Sequence, residues 1–195
     1  MTQAAFAVRL MNQSDDAPIT LVAANAALSQ REQMTMCFDS QIYGVYAALP
    51  AGTRRSMAEL CLERAQDILR AAPTRSVAHM AAAVSLWRLG EPEAATQALQ
   101  RAQDTGLFEG WLSSRRLQLA VSMAFEEAAS LEPKDDILVV AVPEFETLLS
   151  SGPLTDDLVE IYQSHPRARE WFIQTLETLP AQQQQRFIVR LRAAG

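Results

Sequence analysis

Two histidines, two cysteines and three adjacent aspartate pairs are the residues of this chain whose types suggest chemistry. His79 lies in "SVAHMAAAVSLWRL" with no Cys, Asp or second His at ligand spacing, so it reads as a packed or capping residue rather than a base or metal ligand. His165 heads "SHPRAREWF", with Arg167 and Arg169 close behind the helix start that Pro166 sets. A histidine and two guanidiniums near the positive end of a helix suit an anion such as phosphate or a carboxylate. The competing reading of His165, Arg167 and Arg169 is a solvated, capped helix start. Asp15–Asp16, Asp135–Asp136 and Asp156–Asp157 all fall at helix starts, where the backbone dipole favours negative charge. A catalytic acid–base pair must converge in a pocket, and consecutive helical residues point about 100° apart. Cys37 and Cys61 have no Cys-x-x-Cys spacing and are too few for a disulfide framework; each falls in an apolar helical stretch and reads as a free core hydrophobe. There is no Gly-rich phosphate loop, nucleophile elbow, His-Glu-x-x-His or Cys/His zinc spacing. The expectation is a protein that is not an enzyme, with no metal and no cofactor.

The chain has 195 residues, 49% hydrophobic and 21% charged, enough to bury a core and too apolar for bulk disorder. One continuous domain is expected. A net charge of −6 leaves no electrostatic footprint for nonspecific nucleic-acid binding, which depends on Lys and Arg neutralising phosphates. Lys134 is the single lysine, so the basic residues are otherwise Arg. No run approaches the ~18 to 20 apolar residues of a membrane span, and "MTQAAFAVRLMNQSDD" lacks the basic start and apolar centre of a signal peptide. The expected location is cytoplasmic, the alternative being the soluble periplasmic part of a membrane-anchored protein.

The elements that must position any site are helices, punctuated by seven Gly and nine Pro. A short helix is expected over 2–13, another from Asp16 and Pro18 through "PITLVAANAALSQREQ", continuing or breaking into "MTMCFDSQIYGVYAAL", with a stop at Pro50 and Gly52. Ser56 and Glu59 have capping-box spacing and predict a start over 53–56 for a helix reaching Ala72. Thr74 or Ser76 caps the next, whose stripe is Val77, Met80, Ala81, Val84 and Trp87. Gly90 supplies a left-handed stop and Pro92 starts the following helix. A long helix runs from Leu107 to about Ser130. The β-branched run in "DDILVVAVPEFETLL" has no second strand to pair with, so a helix kinked or restarted at Pro143 is preferred. Three more helices are expected over 154–163, 166–178 and 181–193.

Residues 76–107 resemble one tetratricopeptide repeat, the 34-residue helix–turn–helix unit of α-solenoids. The matches are Ala83 at the helix crossing, Leu86, Gly90 at the turn, and Ala95, Leu99 and Ala102 on the second helix. His79, Ala82 and Leu107 depart from the family's usual Trp, Leu and closing Pro. The tract "GLFEGWLSSRRLQLA" resembles repeat-like proteins that accompany bacterial surface-polysaccharide genes. The resemblance implies an all-α fold of antiparallel helical hairpins over 1–130, with 131–195 as a C-terminal helical extension packed on it. It also implies a concave face that binds a protein or peptide partner through Val77, Met80, Val84, Trp87 and Arg88, and through Trp111 and Arg115 on the next helix. The other reading of that stripe is core buried by the C-terminal helices. The expected function is therefore an adaptor or assembly factor. The alternatives are a helical small-ligand or lipid carrier with an internal apolar pocket, and a structural homodimer subunit.

Overall fold

The computed structural model describes residues 27–42, 46–107, 109–125 and 135–194. The helix expected over 2–13, the start near Pro18 and the helix end near Ser130 lie outside these residues. Among the described residues all regular structure is helical: nine α-helices and three short 3-10 turns. The run "ILVV" is helical too, inside a helix that carries Pro143. The chain divides into two compact units, Met1–Gly106 and Leu107–Gly195. The helix from Gly110 belongs to the second of these units.

The first unit contains α1 (Ala27–Ile42), α2 (Ala51–Ala71), α3 (Ser76–Arg88) and α4 (Pro92–Thr105). Each outer helix offers one apolar stripe at helical spacing: Met34, Cys37 and Phe38 on α1, Met57, Cys61, Ala65 and Ile68 on α2, and Ala95, Leu99 and Ala102 on α4. The central helix, α3, is small or apolar on every side, and all but two of its residues are buried against α1, α2 and α4. Its alanines explain the composition, because interaxial distance follows side-chain size and three neighbours must approach one axis. Gly90 stops α3 with φ of 83°, a backbone region costly for residues with a Cβ, and Pro92 opens α4 where its missing amide is harmless.

Two local expectations are corrected in this unit. Helix α2 begins at Ala51, so Ser56 lies within it and makes no cap; Glu59 pairs instead with Arg55 at 2.9 Å on an exposed face. Cys37 and Cys61 are buried but not free: their sulfurs form a disulfide joining α1 to α2, with the Cα atoms 5.7 Å apart. That pairing depends on where two helices meet, which residue spacing does not reveal.

The second unit contains α5 (Gly110–Phe125), α6 (Asp135–Ser150), α7 (Thr155–Ser164), α8 (Arg169–Glu177) and α9 (Ala181–Ala194). Here α5 plays the buried central part, and α6 packs along it through Ile137, Val140, Ala141, Phe145 and Leu148. Phe145, Trp171, Phe172, Tyr162 and Phe187 form an edge-to-face chain with centroids 5.2 to 6.0 Å apart, knitting α6 to α9. Among the described residues no single helix is long and apolar enough to cross a membrane. Residues 136–150 and 152–164 reach that composition only together, as a pair bent by 115°.

Candidate binding site

The residues expected to form one concave face fall in both units. On α3, Val77, Met80, Val84 and Trp87 are buried, and the element packed on α3 from the N-terminal side is α1. Arg88 is occupied within the unit. Its Nε and Nη2 donate to the Gln41 carbonyl at 3.0 and 2.6 Å, at the end of α1. The same guanidinium lies 3.9 Å from the Trp87 ring centroid and 4.9 Å from that of Tyr46, so it acts as a cation–π tie and a cap for orphan helix carbonyls. Tyr46 donates to the Arg54 carbonyl at 3.1 Å. Burial raises its phenol above the ordinary value of 10.0, and the positive charges of Arg88 and Arg54 partly oppose that rise. In the second unit, Trp111 and Arg115 are half-buried on α5, and Arg115 donates to the Ser114 hydroxyl at 3.4 Å.

His165, Arg167 and Arg169 diverge rather than converge. The His165 ring is buried at the end of α7; Nδ1 donates to the Ile161 carbonyl at 2.9 Å, which leaves Nε2 to accept from the Ser122 hydroxyl on α5 at 3.1 Å. Arg167 reaches toward the Phe125 carbonyl at 3.5 Å, and Arg169 lies over the Tyr162 ring at 5.4 Å. The Ser122–His165 contact has the reach of a nucleophile and base. However, Ser122 is buried in the last turn of a helix, where backbone amides are committed to the i−4 carbonyls and cannot form an oxyanion hole. Chemically the pair acts as a clasp between α5 and α7.

A second buried polar group sits deeper. Arg116 on α5 and Glu144 on α6 are 1% and 2% exposed and form a two-pronged ion pair, Nη2 to Oε2 at 3.1 Å, while Nη2 also donates to Ser113 Oγ at 3.1 Å. Sequence reasoning missed it, because neither residue stands out from other charges on amphipathic helices. No group of three or more His, Cys, Asp or Glu among the described residues is placed to hold a metal ion.

A concavity open to solvent lies in the first unit, where the end of α2, the start of α3 and the last turn of α4 meet. It is a groove of about 700 Å³. Leu69 and Pro73 give it an apolar floor, His79 closes one side, and Arg70, Arg101 and Asp104 stand at its rim. His79 Nε2 is held at 2.8 Å from the Pro73 carbonyl, in line with the expected packing role. Arg70 is paired with Asp67, and Asp104 accepts from Gln100 at 3.0 Å. Arg101 has no ion pair among the described residues, so its planar fork faces the groove uncommitted. Its only sequence signal is a lone Arg on the polar face of α4, which marks an ordinary solvated position. Searches against family models, curated proteins and solved structures found no match to this chain.

Proposed function

We propose that this protein is a noncatalytic helical interaction module, an adaptor or assembly factor whose first unit is tetratricopeptide-like and binds a short peptide. The observation that carries the reading is the open groove with an apolar floor and an uncommitted Arg101 at its rim. Its shape and chemistry suit a segment that lays one apolar side chain on Leu69 and Pro73 and presents a carboxylate to the Arg101 fork. The α3–α4 hairpin supports the repeat-like reading: Ala83, Ala95 and Ala102 are fully buried where the helices cross, and Gly90 makes the turn. The partner-binding role expected of Val77, Met80, Val84 and Trp87 moves to this groove, since those side chains are enclosed within the unit.

The test is fluorescence anisotropy with a panel of labelled peptides that pair Leu or Phe with Asp or Glu. Binding that weakens at least tenfold in Arg101→Glu, with the helical signal unchanged, is the expected result. A panel with no saturable binder, or binding indifferent to Arg101→Glu, refutes the reading.

A further inference from the structure

The seam between α1 and α3 contains a buried polar cluster. Gln41, fully buried on α1, donates from Nε2 to the Cys37 carbonyl at 2.8 Å and to the Ser85 hydroxyl at 3.2 Å, while its buried Oε1 has no hydrogen-bond partner among the described residues. Gln33 and Asp39 are also buried on α1, and Gln33 accepts from Arg64 of α2 at 2.9 Å. An orphan buried acceptor is a standing cost to docking. Helix α1 packs on α3 beside α2 and α4, and a covalent bond, Cys37–Cys61, ties α1 down to α2.

We propose that Cys37 and Cys61 are an oxidative modification site: their oxidation during folding seals α1 onto α3, so the chain reaches its closed form only where a disulfide-bearing oxidant is supplied. The step balances as thiol–disulfide exchange. One cysteine thiolate attacks a sulfur of the oxidant's disulfide, forming a mixed disulfide and expelling one thiolate. The second cysteine then attacks the first one's sulfur and expels the other. Two electrons and two protons leave the chain with the reduced oxidant. Because the two sulfurs belong to residues only 2% and 1% exposed, this exchange precedes the docking of α1, and the finished bond is shielded from reductants. Such a bond belongs to an oxidising compartment. None of the residues lining the groove lies on α1, so the inference stands apart from the peptide-binding reading.

The experiment is to unfold and reduce the whole protein, then refold it with or without glutathione disulfide, and to compare both forms with Cys37→Ser/Cys61→Ser. Closing a loop across 24 residues favours the docked form by about 100- to 1,000-fold. Amide exchange in α1 is therefore expected to be faster by about that factor in the dithiol form and in the double variant. Trp87, kept alone in a Trp111→Phe/Trp171→Phe background, becomes more open to acrylamide, while amides of α2 to α4 keep their protection. The oxidised form resists dithiothreitol in native buffer and yields to it in denaturant. The proposal is overturned if the thiols stay open to alkylation after oxidative refolding, if α1 protection is the same in both forms, or if α2 to α4 lose protection together with α1.

Discussion

Removing one member of the Arg116–Glu144 pair should be the most damaging single polar change in the second unit. Both side chains are almost wholly excluded from water, and the two-pronged contact to Glu144 and the bond to Ser113 are among the contacts that hold the guanidinium inside the core. In Arg116→Met the methionine fills much of the arginine stem's space, so the cost is dominated by the buried Glu144 carboxylate losing its guanidinium, about 3 to 5 kcal/mol. A unit of this size has a urea m-value of roughly 1.5 kcal/mol/M, so the midpoint of its transition should fall by about 2 to 3 M. Removing the second charge should restore most of that, since well-packed apolar replacements of buried ion pairs are often neutral. The assay is urea unfolding followed by Trp111 and Trp171 in a Trp87→Phe background, comparing Arg116→Met, Glu144→Leu and the double variant. Loss below about 1 kcal/mol in the single variants, or a double variant as unstable as the sum of the two, would refute the reasoning.

The other predictions concern backbone, pH and the buried clasp. Gly90→Ala should destabilise the first unit by about 1 to 2 kcal/mol because of its positive φ, although nothing within 4 Å would meet the new Cβ. Gly52→Ala, inside α2 with the same open space, should stabilise it by about 0.5 to 1 kcal/mol; thermal melts of the two variants should shift in opposite directions. Tyr46 ionises at a higher pH folded than unfolded. Its contribution is therefore complete below pH 10 and lost as pH rises through 10 toward the folded value, because the unfolded chain releases the proton first. Denaturation across that range should show the advantage of wild type over Tyr46→Phe shrinking. Ser122→Ala should cost about 1 to 2 kcal/mol by depriving buried His165 Nε2 of its donor; a stability unchanged in urea unfolding would mean the clasp contributes nothing.

Much of the helical order was legible because its causes are local. Proline fixes φ and lacks a donor, so Pro92 at the start of α4 followed from covalent geometry alone, and Gly90 followed from the positive φ that a tight stop demands. The apolar stripe on α3 follows from periodicity, and the helical state of "ILVV" from the lack of a pairing strand. The capping box failed where a local signal met a competitor: α2 extended back to Ala51, and Glu59 found Arg55 one turn away.

What the tertiary structure alone decided are the contacts between residues far apart in the chain. Periodicity marks the stripe of α3 as apolar but not which elements cover it; packing placed α1, α2 and α4 around that helix. The same packing joined Cys37 to Cys61, turned the Arg88 guanidinium onto Trp87, Tyr46 and the Gln41 carbonyl, and buried Arg116 against Glu144. The groove beside Arg101 is assembled from the ends of three helices that no local pattern links. Local sequence sets dihedrals, caps and the identity of each helix face, whereas partners and pockets depend on which faces meet, a choice made by the summed burial of the whole chain.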